Sequence, residues 1–284
     1  MAELHTIYGG EWNAKRLKCA LTGDATFPAE LQQFFDKYGK ENSIKFNPED
    51  YVPKKIGIQN YQIAGKQLRL TLKRVPWVAH QAVQDSMDKP VINGKTIREL
   101  YFIPDRLDKL PNLVGTNWAP INVDRKEILL QVRSKTGVGI HGGTLSVPGG
   151  YMDVGDTTPL DTCIRELGEE IGLRSAKNVT VNALVRHYKN AQYNIVGCAY
   201  TTVDLHKFAQ SKSIEAEKFL VININSLDAF FNEVGKYEKW SPAGMLAALI
   251  GLSKTLGKNA VVEKLNQINR NDYSNYLEAL FPQT

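Results

Sequence analysis

The chain has 284 residues, of which 43% are hydrophobic and 23% charged, with a formal charge of +5. That length holds one large domain or two modest ones with a sizeable core, at an ordinary globular composition. The mild charge includes no dense Lys/Arg run, so nucleic acid is not an expected partner.

In chain order, "FPAELQQFFDKYGK" predicts a helix with Leu31, Phe34 and Phe35 on one side. "IGIQNYQI" and "KQLRLTLKRV" flank the Ala64-Gly65 turn and predict a hairpin. "VINGKTI" carries the Asn-Gly pair of a tight turn. "IPDRLDKLPNL" is broken by two prolines and by charge, and marks a boundary. It divides an N-terminal α+β unit, residues 1–110, from a second unit, residues 111–284. The second unit opens with a strand–turn–strand pattern, "NWAPINVDRKEILLQVRS". A glycine-rich segment follows around a short strand, Thr144 to Val147, and ends in Pro148-Gly149-Gly150. Three more strands are expected in "VTVNALVRHY", "YNIVGCAYTTVDL" and "KFLVINI", then a helix in "SLDAFFNEV". Ser241 caps a further helix with Pro242 at its first position, and the tail from Lys258 is helical.

Cys19, Cys163 and Cys198 are far apart and include no C-x-x-C pair, so neither a disulfide framework nor a thiolate zinc site is signalled. The first residues are polar and acidic where a secretory leader needs an apolar core. The longest apolar run, "GMLAALIGL", is too short to span a bilayer. These features lead to the expectation of a cytoplasmic protein without a membrane partner.

The stretch that carries chemistry is "DVGDTTPLDTCIRELGEEIGL", Asp153 to Leu173. Thr158 is a good N-cap, Pro159 suits the first helical position, and Asp161 completes a short capping box. Gly172 suits the left-handed position after the helix. Within this bracket Leu160, Cys163, Ile164, Leu167 and Ile171 form an apolar stripe. Glu166, Glu169 and Glu170 stand at i, i+3 and i+4, on a face expected to lie off that stripe. A solvated acidic face would need no ligand. The glycines before the helix change the weighing, because carboxylates gathered beside exposed backbone are what a hard divalent cation takes.

The same residues resemble the Nudix box, "G-x5-E-x7-R-E-U-x-E-E-x-G-U" with U bulky and apolar. Arg165 to Leu173, "RELGEEIGL", matches its second half at every fixed position. Chance would give that half in such a chain about 10⁻⁵ of the time. The first half departs: Asp156 stands in place of glutamate, and eight residues rather than seven separate it from Arg165. The extra residue falls around Thr157, before the cap, so the helical register of the glutamates survives. The resemblance spans roughly Gly115 to Glu217. It implies an α+β fold for the second unit, a Nudix-type α/β/α sandwich with a mixed sheet. It also implies hydrolysis of a diphosphate linkage in a nucleoside diphosphate derivative, with Mg²⁺ or Mn²⁺.

By position, the resemblance implies Glu166, Glu169, Glu170 and the Gly150 carbonyl as metal ligands, and Arg165 as the residue that orients the glutamates. Family members use a further glutamate from a later loop as ligand or base. "SIEAEKFLVI" offers Glu215 and Glu217, against a plain solvated loop. Arg133 at a strand end and Arg186 with His187 are candidates for a substrate phosphate, each against an ordinary structural role. His141 lies near the glycine loop with no partner at metal spacing, and Trp77, Trp118 and Tyr193 are candidates for stacking on a base or for the core. ADP-ribose or a nucleotide sugar is favoured, because an added N-terminal unit often builds a larger pocket or a homodimer surface. A triphosphate pyrophosphohydrolase or cap hydrolase is the alternative within the class, and a nucleotide-sensing regulator the alternative outside it.

Overall fold

The computed structural model describes residues 4–134, 143–174, 176–188, 191–210, 213 and 215–281. Strand β1 (Leu4–Trp12) comes first, followed by β2 (Leu17–Asp24) and helix α1 (Ala29–Glu41). The expected hairpin is β3 (Lys55–Ala64) and β4 (Gln67–Val75), with Gly65 at φ 55° in the turn. Helix α2 (Trp77–Ser86) was not signalled in the sequence. The Asn-Gly pair joins β5 (Pro90–Ile92) to β6 (Lys95–Thr96), with Asn93 and Gly94 both at positive φ. Helix α3 (Ile97–Tyr101) and a 3-10 turn, Pro104–Lys109, lead into the second half.

There β7 (Val114–Asn122), β8 (Glu127–Arg133) and β9 (Leu145–Ser146) precede helix α4 (Pro159–Ile171). Strands β10 (Lys177–His187), β11 (Tyr193–Thr201) and β12 (Ala216–Asn223) follow. Four helices close the chain: α5 (Leu227–Val234), α6 (Pro242–Leu256), α7 (Lys258–Gln267) and α8 (Asn271–Leu280).

The main sheet runs β1-β10-β11-β7-β8-β12, with β9 added beside β8. It is mixed, since β11 and β7 are parallel while the other pairs are antiparallel. One face packs on α6, α7 and α8 through Ala119, Ile121, Val185 and Val196. The other packs on α4 through Trp118, Val114, Leu184 and Ile195. A helix–sheet–helix sandwich results, and helix α6 is buried from Pro242 to Ser253.

The boundary near residue 110 needs a correction at its start. β1 belongs to the main sheet, paired antiparallel with β10, and so does not join the other strands of the first half. The remaining N-terminal strands form their own sheet, β2-β4-β3. Its apolar residues Leu17, Ile56, Ile58, Leu68, Leu70 and Leu72 share one core with Leu160, Cys163 and Leu167 of α4. A sheet with one apolar face must cover it, and here the covering layer includes the second half's helix.

β7 explains where the glycine loop sits. Its Trp118 and Thr116 amides donate to the Pro148 and Gly150 carbonyls, and Met152 N–H donates back to Val114. The loop therefore runs along β7 as an irregular neighbour. Pairing with β8 begins only at Ile121 and Asn122. Pro120 follows the donors Thr116 and Trp118 at the same two-residue spacing, so its missing N–H falls between loop and strand, where proline costs no ladder bond.

Candidate functional site

Helix α4 has the ends its sequence requires. Thr158 and Asp161 form a reciprocal capping box, and Gly172 at φ 76° ends the helix. The inserted residue is absorbed at the cap, where the Thr157 amide donates to Asp161 Oδ2 at 3.1 Å and the Thr158 amide at 2.8 Å.

The helix phase differs from expectation on both sides of the stripe. Leu160, Cys163, Leu167 and Ile171 are buried, but Ile164 is 47% exposed. Glu166 and Glu170 are each only 8% exposed, whereas Glu169 points outward. The reason is the glycine loop. It covers the flank of α4 that the sheet leaves open and closes over the two carboxylates one turn apart. A Cβ on Gly150 would collide with the Glu166 carboxylate, and one on Gly149 would strike the Thr116 carbonyl. Glycine is therefore needed at both positions for close backbone approach.

Arg165 organises one end of the site. Its Nε and Nη2 donate to the two oxygens of Asp156 at 3.2 and 2.8 Å, and Nη2 also reaches the Tyr151 carbonyl at 2.8 Å. Nη1 donates to Glu166 at 2.8 Å and Glu169 at 3.2 Å. Asp156 additionally accepts from Thr162 Oγ1 and the Asp153 amide, each at 3.0 Å. Burial opposes both charges. Arg165 nevertheless holds Asp156 below the usual carboxylate range, and Asp156 and Glu166 hold the Arg165 pKa above its ordinary value.

The other end is electrostatically open. Burial pushes Glu166 up to about 7 despite Arg165, with Glu169 and Glu215 adding to the rise. Burial pushes Glu170 well above the carboxylate range, Glu215 and Glu166 adding to it, while Arg133 and the Gly149 backbone offset it only in part. Among the described residues neither carboxylate oxygen of Glu170 has a hydrogen-bond partner of good geometry, the Gly149 backbone only approaching it. A buried, unpartnered carboxylate is costly unless it is protonated or meets a cation. Glu166 and Glu170 stand one helical turn apart against the glycine loop, and a buried carboxylate so poor in partners fits a divalent ion.

The remaining candidates separate. Arg133 and Glu215 meet at 3.5 Å across β8 and β12, and both act electrostatically on Glu170. Glu217 is exposed on β12 beside Lys218, and Glu215 is the one of the pair whose charge reaches the box. The Gly150 carbonyl, expected as a ligand, is turned towards β7. It accepts from Thr116 N–H at 2.7 Å and Thr116 Oγ1 at 3.1 Å, so both lone pairs face β7. Arg186 also lies elsewhere than expected. It is 1% exposed, lies over the rings of Phe102 and Tyr193, and donates to Asn112 at 3.1 Å. Long, planar and apolar on its faces, it fills the joint between the halves. Trp118 is wholly buried, Tyr193 nearly so, and Trp77 packs against Tyr151. His141 lies outside the described residues.

Sequence reasoning missed Tyr151 and its partners, because no motif marks them. The Tyr151 hydroxyl donates to Gln192 at 3.1 Å and lies 3.4 Å from His80 Nε2. Away from the box, the group of Glu127, Asp204 and His206 holds ligand atoms within 4.8 Å of one another, a spacing the box glutamates do not reach among the described residues. It lies at the end of β8 opposite Arg133, and Arg125 already pairs with Asp204 at 3.0 Å.

Residues 115–211 match the family model described as NUDIX domain. No curated protein matches the chain. Among solved structures, the MutT protein from Methanosarcina mazei Go1 is 18% identical, over 46% of this chain and 86% of its own, with a TM-score of 0.34. The NUDIX domain of Shewanella oneidensis NrtR, cocrystallised with ADP ribose, is 14% identical over 54% and 93%, with a TM-score of 0.39. The MutT NUDIX hydrolase from Burkholderia pseudomallei is 18% identical over 48% and 94%, with a TM-score of 0.34. No described helix is long and apolar enough to cross a membrane.

Proposed function

We propose that this chain, whose residues 115–211 match the NUDIX domain model, is a pyrophosphohydrolase that cleaves a diphosphate linkage in a nucleoside diphosphate derivative with Mg²⁺. The observation that carries this reading is Glu170, buried against the glycine loop with no well-formed hydrogen bond to either oxygen among the described residues. Glu166, Glu169 and Glu170 would hold the ion, with Glu215 at the rim. A divalent ion there would draw charge from the phosphate oxygens and acidify a bound water.

The protein's own groups supply the rest. Arg165 fixes Glu166 and Glu169 by charge-assisted bonds and is itself fixed by Asp156. Glu215, exposed and paired loosely with Arg133, is the carboxylate free to take a proton from water. Arg133, 22% exposed in its side chain, is placed to meet a phosphate oxygen once that pair opens. ADP-ribose or a nucleotide sugar is the favoured substrate, since a second unit packed beside the loop can enclose a larger leaving group. The three cysteines are free thiols, which supports a reducing, cytoplasmic setting.

The test is a panel of ADP-ribose, nucleotide sugars, dinucleotides, triphosphates and capped RNA, assayed with Mg²⁺ and again after EDTA. The expected result is release of a nucleoside monophosphate from a diphosphate derivative, lost on chelation. Binding of these compounds with no turnover would instead favour a nucleotide sensor.

A further inference from the structure

The N-terminal unit touches the catalytic loop from Tyr151 to Val154. The Ile56 amide donates to the Met152 carbonyl at 2.9 Å, and the Val154 amide donates to Lys54 at 3.0 Å. Lys55, between them on β3, pairs antiparallel with Asp153 and forms an ion pair with it. Asp153 is also 3.7 Å from Arg165. One residue earlier, Tyr151 packs edge-on against Trp77 and His80 of α2, at centroid distances of 5.2 and 5.5 Å. Its hydroxyl reaches His80 and Gln192, while its carbonyl holds Arg165. On the other side the loop is bonded to β7.

The loop is thus the middle strand of three, with β7 on one edge and the start of β3 on the other. A loop bonded on one edge alone would open easily, because glycines at 149, 150 and 155 leave its backbone little stiffness of its own. The ring contacts then fix the direction of Tyr151, and with it the carbonyl that aims Arg165. His80 is 1% exposed, and burial pushes its pKa down to about 3, so it stays neutral at working pH and the contact does not switch with pH.

We propose that the N-terminal unit is a brace for the catalytic loop, with Lys55 and the Trp77–His80 face of α2 acting through Asp153 and Tyr151 as positioning residues for Arg165, Glu166 and Glu170. This rests on the reading of the glutamates as the metal centre. It gives the first half a task that neither a separate binding module nor a dimer surface would require.

The experiment uses the full chain with Lys55→Met, Lys55→Arg and Trp77→Ala. Mn²⁺ titration, kcat and KM on the preferred substrate, thermal unfolding, and amide exchange of residues 150–154 are measured for each. Residues that orient metal ligands from outside cost about 10-fold or more in affinity or rate when removed. The expected result is a loss of about 10-fold in Mn²⁺ affinity and kcat for Lys55→Met, with KM within about 2-fold, faster exchange at 150–154, and recovery in Lys55→Arg. Trp77→Ala should follow Lys55→Met. If Trp77→Ala fails to fold, Lys55 alone decides the matter. Wild-type Mn²⁺ affinity, kcat and exchange in Lys55→Met would overturn the brace. Glu170→Gln separates the two readings: if it binds Mn²⁺ as well as wild type does, the metal reading fails. Loop exchange in Lys55→Met then decides the brace by itself, faster exchange upholding it and unchanged exchange overturning it.

Discussion

The two ends of the acidic site treat buried charge in opposite ways. Asp156 is 8% exposed, and each of its oxygens is taken by Arg165, with Thr162 and the Asp153 amide besides. Glu170 is 8% exposed too, and among the described residues its oxygens have no partner of good geometry, only the approach of the Gly149 backbone. Asp156 precedes α4 and Glu170 lies in its last turn, and the two have the same exposure, so exposure alone does not explain the difference. A closed network holds its residues in place, whereas an unsatisfied group kept in a well-packed site signals a missing ligand.

Glu170→Gln tests the open end and carries the largest expected effect. Turnover with Mg²⁺ should fall by at least about 100-fold, because charge stabilisation at the phosphoryl centre is worth several kcal/mol. Thermal stability without metal should hold or rise, since a buried group with a penalised charge becomes a neutral amide of the same shape. A marked loss of stability would show that Glu170 has a structural partner and would erase the contrast.

Asp156→Ala tests the closed end, and its signature should be reversed. Breaking a buried ion pair from one side costs about 3–5 kcal/mol. Arg165 keeps Glu166 and Glu169 as partners and is 27% exposed in its side chain, so the lower end of that range is expected. Activity per folded molecule should drop about 10-fold as Arg165 loosens. Urea unfolding and Mg²⁺-dependent kinetics check the two halves separately.

The bracket of α4 was legible because caps are local: Thr158, Asp161 and Gly172 each act within one turn. The role expected of Arg165 came from the resemblance, and its bonds to Glu166 and Glu169 are made within one turn of the same helix. The burial of Glu166 and Glu170 was not, because the loop that covers them is held by β7 and by β3, which lies about a hundred residues earlier. β1 was missed for a related reason, as its partner β10 begins at Lys177. α2 is short, its apolar stripe of Val78, Ala79, Ala82 and Val83 is made of small residues, and it has no side-chain cap, so its helical signal was weak. Arg186 reads as an exposed strand-end cation until Phe102 and Asn112 are brought across it.

The cap itself offers a smaller test of the closed end. Deleting Thr157 while replacing Asp156 by Glu restores the family spacing, and this double variant should keep most activity. Either change alone should do worse, because side-chain reach and chain spacing no longer match. The kinetics of the three variants decide it, and strict additivity would mean that the inserted residue does more than lengthen the cap.

Lys73 extends the comparison to a buried cation, with the smallest effect. It is 4% exposed and donates to two neutral oxygens, the Asp108 carbonyl at 2.6 Å and the Leu110 carbonyl at 2.7 Å. Burial pushes its pKa down to about 8, Asp108 opposing and Lys109 assisting. The unfolded chain keeps an ordinary lysine near 10.4. Between these values the unfolded state binds a proton that the folded state has released, so stability rises with pH through the window and is lost as pH falls through 8. A neutral amine still has two N–H groups for the two carbonyls, so the contact survives deprotonation. Wild type should therefore gain about 1 kcal/mol between pH 7 and pH 9 relative to Lys73→Met. Urea unfolding of both proteins at the two pH values measures it. Parallel pH curves would show that Lys73 stays charged at pH 9, and that carbonyl oxygens alone satisfy a buried ammonium as fully as Arg165 satisfies Asp156.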